Sequence, residues 1–255
     1  MEFNNIILKI RYWFHTYRNR YFRSKSEAKN FKNMSNAQIF DKIYSEKLWG
    51  HNEEYIMSSG EGSHKKNIIN PYIDAMNLLL SKIQPLIIVD LGCGDFNVSK
   101  NFVSKAKTFI ACDVSEKILS QNQSKFKHFN NLKFELIDIS NDPLPGGDIA
   151  FIRQVLQHLS NDSIKKFVNY INKHKPYKHL VVTEHLPANK YFKSNFDKPS
   201  GPNTRLKLNS GVILHENPFL LNFKSYKNIL ETFLSDNRSK IKNNVSLIKT
   251  TIYNF

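Results

Sequence analysis

Disulfides, bilayer-spanning runs and excess acid are all missing from this sequence. Only two cysteines, Cys93 and Cys112, occur in 255 residues. That excludes a disulfide framework. Both fall in or beside apolar runs read as buried strands, so reduced core thiols and a cytoplasmic setting are expected. No apolar run approaches the roughly 20 residues that cross a bilayer. Ile6-Ile7-Leu8 is too short for the core of a secretory signal, and Arg11, Arg18 and Arg20 follow closely. His, Cys and Asp show no spacing of a dedicated metal site, so no metal is expected. Acid is scarce: 22 Asp and Glu stand against 37 Lys and Arg, a net charge of +15. Such an excess suits nucleic acid, a phospholipid surface or a phosphorylated substrate, and equally a solvated lysine-rich surface.

What is present falls into two parts. Residues 1–34 form a basic appendage, with eight Lys or Arg against two Glu, interleaved with Tyr12, Trp13, Phe14, Tyr17, Tyr21 and Phe22. It suits packing on the chain's own surface, a peripheral contact with an anionic inner membrane face, or nucleic acid. Residues 35–255 read as one domain. Helices are expected over 36–48, with Ser35 or Asn36 as cap, and over 66–82. A flexible loop, Ser58–Ser63, separates them. Strands are expected at 86–91, 108–113, 132–138, 148–153 and 179–184, and helices at 97–105, 115–127 and 161–174, the last capped by Asn161 or Asp162. This alternation predicts an α/β domain with a doubly wound, mainly parallel sheet. Strands at 226–234 and 246–254 are expected to add an antiparallel hairpin. Residues 185–224 are proline-rich and irregular, and are expected to form an acceptor-side lid.

The run Leu86-Ile87-Ile88-Val89-Asp90-Leu91-Gly92-Cys93-Gly94 carries the chemistry. A short β-branched run reads as a buried parallel strand. Glycines directly after it let the chain turn and a ligand approach the backbone. A dinucleotide fingerprint would need glycine at position 97, where Asn97 stands. Two further acids end the next strands. Asp113 suits the hydroxyls of a ribose, or a helix cap. Asp138 suits an adenine amine, or is a surface acid.

Asp90-x-Gly92-x-Gly94, with Asp113 and Asp138, resembles the motifs of class I methyltransferases that use S-adenosylmethionine (SAM). The resemblance implies a Rossmann-like fold, SAM as cofactor and S-adenosylhomocysteine (SAH) as product. It implies cofactor contacts from Asp90, Gly92, Gly94, Asp113, Val114, Asp138, Ile139, Arg153 and Gln154. Upstream, Ile39-Phe40-x-x-Ile43-Tyr44, Leu48-Trp49-Gly50 and Ser59-Gly60-x-Gly62-Ser63 resemble bacterial methyltransferases associated with surface-polysaccharide and lipopolysaccharide gene clusters. Thr204-Arg205, Ser210-Gly211-Val212-x-Leu214 and Asn217-Pro218-Phe219 are similar to the same group. There Ser59, Gly60 and Ser63 would hold the methionine carboxylate, or form an ordinary loop. His158 and His185 are the candidate bases, and each also suits a hydrogen-bonded wall. Glu184 is expected near the acceptor. Arg205 is expected to bind an acceptor phosphate or carboxylate, or to anchor the lid. The implied activity is methyl transfer to oxygen or nitrogen of a small-molecule or sugar acceptor. Methylation of RNA or protein, and a non-catalytic SAM-fold module, are the alternatives. An Asn-Pro-Pro-aromatic motif is absent where Arg153-Gln154-Val155-Leu156 stands, which argues against base-amino methylation.

Overall fold

The computed structural model describes residues 29–51, 55–189, 192–235 and 245–255. Most of the basic appendage, residues 1–28, lies outside them, and so does its expected membrane contact. Of the appendage's described residues, Phe31 packs into the domain core.

The first described complete helix, α1 (Asn36–Ser45), starts where Ser35 and Gln38 form a reciprocal capping box. Its apolar positions Ile39, Phe40, Ile43 and Tyr44 recur at helical spacing and are buried. Helix α2 (Lys66–Ile83) leads into β1 (Ile87–Leu91). Alternation then continues through β2 (Thr108–Asp113), α3 (Glu116–Lys125), β3 (Leu132–Leu136), β4 (Gly147–Arg153), α4 (Asn161–His174) and β5 (Tyr177–Pro187). The chain ends in β6 (Ser225–Ser235) and β7 (Val245–Asn254).

These strands form one seven-stranded sheet in the order β3-β2-β1-β4-β5-β7-β6. The first five run parallel; β7 pairs antiparallel with both β5 and β6, as a hairpin should. Side chains of β1 alternate between the two faces. Val89 and Leu91 join the core under α1 and α4, while Ile88 joins the core under α2. The chain reverses its direction of travel across the sheet between β1 and β4. Open α/β sheets bind ligands outside the carboxyl ends of the strands at such a switch point.

Three local expectations change. The stretch expected as a helix over 97–105 is a 3₁₀ turn, Ser99–Lys105. Ser160, not Asn161 or Asp162, caps α4, because its hydroxyl accepts from the Ser163 amide; Asn161 instead donates to the Asn195 carbonyl. Among its described residues the region 185–224 contributes its first residues to β5, forms a 3₁₀ turn at Arg205–Leu208 and is otherwise irregular but packed. Leu208, Val212, Leu214, Phe219 and Leu221 are buried in it. The Asn195 amide donates to the carbonyls of Ile213 and Asn217, which satisfies backbone that has no sheet or helix partner.

Candidate functional site

A cavity of about 810 Å³ opens at the carboxyl ends of β1, β2 and β4. That is within the range of roughly 300–1,000 Å³ typical of small-molecule and cofactor sites. Asp90, Gly92, Gly94, Asp113, Val114, Asp138, Ile139, Arg153 and Gln154 all line it, as do Ser59, Gly60 and Ser63. His158 and His185 line it too.

The glycine loop is built by close approach. Gly92 has φ +81°, and a Cβ there would sit 2.5 Å from a Val155 methyl. Asp113 fastens the loop from the next strand. Its Oδ2 accepts the Gly94 amide at 2.9 Å and its Oδ1 the Ser115 amide at 3.0 Å. A carboxylate offers about four lone-pair sites, so each oxygen retains capacity toward the cavity. Burial raises the Asp113 carboxyl to about 6 despite those amides.

Asp90 is 2% exposed, and its Oδ2 has no hydrogen-bond partner among the described residues. Burial pushes this carboxyl up to about 7. An unpartnered buried oxygen on a cavity wall is what a ligand donor would satisfy. Asp138 is differently placed. Asn36 Nδ2 lies 3.3 Å from both of its oxygens, and Asn141 Nδ2 donates at 2.7 Å. It ties α1 to the end of β3 while still lining the cavity.

The Ser58–Ser63 loop is docked rather than loose. Ser59 Oγ accepts the Asp95 amide at 2.8 Å, and Asp95 Oδ2 accepts the Ser59 amide at 2.6 Å. Arg153 Nη2 donates to the Gly62 carbonyl at 2.7 Å. Asn97 Nδ2 donates to the Ser63 carbonyl at 2.7 Å. Position 97, where a dinucleotide site would carry glycine, thus holds a loop. Asp95 was not singled out in the sequence; its only signal there is its place directly after the second glycine.

His158 is buried against Trp49, with ring centroids 4.8 Å apart, and its Nδ1 has no partner among the described residues. Burial first, then the nearby Lys198, pulls its pKa down to about 3. His185 Nε2 lies 2.7 Å from Ser246 Oγ, and burial lowers this imidazole to about 4. Both rings are therefore neutral near pH 7. Ser246 on β7 escaped the sequence reading, because only the antiparallel insertion of β7 beside β5 brings it to the cavity.

Two expected acceptor contacts are corrected. Glu184 does not line the cavity. Neighbours in a strand face opposite sides, so His185 faces the cavity while Glu184 points away and accepts the Leu156 amide at 3.1 Å. Arg205 is fully buried with its guanidinium turned from the cavity. It donates to the carbonyls of Leu156, Leu159 and Phe196 and to Asn161 Oδ1. These contacts tie the irregular stretch around Phe196 and Arg205 to the turn after β4.

Residues 88–174 match the model of a family described as a methyltransferase domain. No curated protein matches the sequence. Solved methyltransferases share its fold. The N-methyltransferase NodS from Bradyrhizobium japonicum, in complex with SAH, is 12% identical with a TM-score of 0.55, covering 84% of this chain and 98% of its own. The methyltransferase domain of bacterial CtHen1 is 14% identical with a TM-score of 0.51, covering 73% of this chain and all of its own. The N-terminal domain of EvdMO1 with SAH bound is 11% identical with a TM-score of 0.50, covering 91% and 96%. The glycine loop, Asp113 and the Arg153 segment all lie within the matched residues. The Ser58–Ser63 loop and residues 185–224 lie outside them. Among the described residues no cluster suited to a metal and no membrane-crossing helix occurs.

Proposed function

We propose that the cavity binds SAM and directs its methyl group to an oxygen or nitrogen of a small-molecule or sugar acceptor, in the setting of surface-glycan biosynthesis. The carrying observation is that one cavity joins the acid-and-glycine strand ends to a walled acceptor end. Trp49, Pro202, Thr204, Leu206, His158 and His185 form that wall. SAM supplies an electrophilic methyl on a positively charged sulfur. The chain's residues bind, orient and exclude water.

Asp113 keeps acceptor capacity for ribose hydroxyls, and Asp138 and Ile139 stand where an adenine would be read. Asp90, with its unpartnered oxygen, offers an acceptor to a ligand donor. Ser59, Gly60 and Ser63 offer amides and hydroxyls to a carboxylate. His185, braced by Ser246, is a neutral imidazole that can accept a hydrogen bond from the acceptor and point its lone pair at the methyl, while His158, whose Nε2 faces the Gln157 amide at 3.3 Å, is a neutral part of the wall. The low proton affinity of His185 suits orientation better than storage of a full proton.

The test is calorimetry with SAM and SAH, followed by mass spectrometry after incubation with fractionated glycans, metabolites and RNA. SAM binding with methylation of a glycan or metabolite supports the reading. Methylated RNA, bound with a steep salt dependence, would move it to a nucleic-acid enzyme, which the +15 charge favours. Binding without transfer to any fraction would favour the non-catalytic module. A cytoplasmic enzyme touching the inner membrane face through residues 1–34 would also sediment with anionic vesicles.

A further inference from the structure

The segment Ser58-Ser59-Gly60-Glu61-Gly62-Ser63-His64 contains no apolar side chain. It therefore contributes little to the hydrophobic core. It is nevertheless fastened at both sides of the switch point by polar contacts. On the β1 side Asp95, 1% exposed, does most of the fastening. Its Oδ2 accepts the Ser59 amide at 2.6 Å and lies 2.7 Å from His64 Nε2, while its own amide donates to Ser59 Oγ at 2.8 Å. On the β4 side, Arg153 donates to the Gly62 carbonyl at 2.7 Å. The fit is close at both ends. A Cβ on Gly94 would meet Ser59 Oγ at 2.1 Å, and one on Gly62 would meet the Gln154 side chain at 2.4 Å. A polar segment held this closely across a cavity that it also lines acts on the ligand more than on the core.

We propose that residues 58–64 are a strap across the cofactor cavity and that Asp95 is its catch, a positioning residue that makes cofactor retention depend on strap closure. The inference rests on the reading of the cavity as the SAM site. Asp95 sits directly after Gly94, so the loop that approaches the cofactor also holds the strap. Exchange of cofactor for product then requires the Asp95 contacts to open. Asp95→Asn keeps the shape but removes one charged acceptor shared by Ser59 and His64.

SAH is the probe, used on the full chain by stopped-flow displacement and by amide hydrogen exchange. The SAH dissociation rate is expected to rise about tenfold or more in Asp95→Asn, with association changed much less. In the native chain SAH slows exchange at 58–64; in the variant that slowing is lost while β1 stays protected. Ser59→Ala, which removes the reciprocal acceptor without altering charge, is expected to raise the dissociation rate severalfold and to lose the slowed exchange across 58–64, which a lost ligand contact at Ser59 alone would leave in place. A folded Asp95→Asn with native dissociation rate and native exchange overturns the inference. Faster dissociation with native protection of 58–64 also overturns it, since Asp95 would then act on the ligand directly. If Asp95→Asn does not fold, an unchanged dissociation rate in Ser59→Ala overturns it alone. Failure of the native chain to bind SAH would be a distinct result and would overturn the SAM reading itself.

Discussion

The Asp113 carboxylate accepts the Gly94 amide at 2.9 Å, joining the tip of β2 to the glycine loop after β1. One acid thus shapes the loop and faces the cavity. Asp113→Asn replaces an acceptor with an amide that cannot serve both roles. SAM affinity is expected to fall about 10- to 100-fold, the range for a charge-assisted hydrogen bond. Calorimetry of a variant with native circular dichroism checks this; an unchanged affinity would remove Asp113 from the cofactor site.

Gly94 has φ +54° and no room for a side chain. Gly94→Ala must strain the backbone and push Ser59 away. A cost of about 1–3 kcal/mol in stability is expected from the strained backbone. SAH affinity should fall further than that of Ser59→Ala. Thermal melts with and without SAH give both quantities, and a native melt with native affinity would contradict the tight fit.

Arg205 ties the stretch around Phe196 to the turn after β4, so its loss should appear in stability. Arg205→Lys cannot reach the carbonyls of Leu156, Leu159 and Phe196 together. Destabilisation of about 3 kcal/mol or more is expected, because several buried acceptors lose their donor at once. Denaturant unfolding measures it. Native stability with a raised KM for the acceptor would instead place Arg205 in acceptor binding.

Buried Glu184 is pushed up to about 8 by desolvation, against the opposing pull of Arg205. Between the ordinary value of 4.5 and about 8, the folded chain keeps a proton that the unfolded chain releases. Its contribution to stability is therefore full below about 4.5 and declines as pH rises through about 8. Glu184→Gln removes that decline, so its melting temperature relative to native should increase from pH 5 to pH 8.5. His158 has the opposite sign. It stays neutral down to about 3, whereas an unfolded histidine takes up a proton below about 6.5. Its contribution is present above 6.5 and is lost as pH falls, so His158→Gln should lessen acid destabilisation. Melts over pH 4.5–8.5 test both signs.

Much of the fold is legible because the apolar runs have strand length and the runs between them have helical spacing. Ile87–Leu91 and Thr108–Asp113 are short and mainly apolar, as suits strands covered on both faces. The helix expected over 97–105 tightened to 3₁₀ turns, a short-range geometry that apolar spacing does not distinguish. Cofactor-side residues are legible because they are local: Asp90, Gly92 and Gly94 span five positions on one turn. Asp95 and Asn97 were missed as fasteners, since their partners Ser59 and Ser63 lie more than thirty positions away.

The sequence by itself determined the parallel sheet, the glycine turn at the end of β1 and the acids at the ends of β2 and β3. Each follows from a few adjacent residues whose backbone preferences and alternation act locally. The tertiary structure alone decided which neighbours face the cavity. Glu184 and His185 are adjacent in β5, and the pairing of β5 between β4 and β7 turned His185 toward Ser246 and Glu184 toward Leu156. It also turned Arg205 inward, because carbonyls of the lid and of the turn after β4 need donors that no regular element supplies. Such choices depend on distant segments meeting, and a distance along the chain does not encode them.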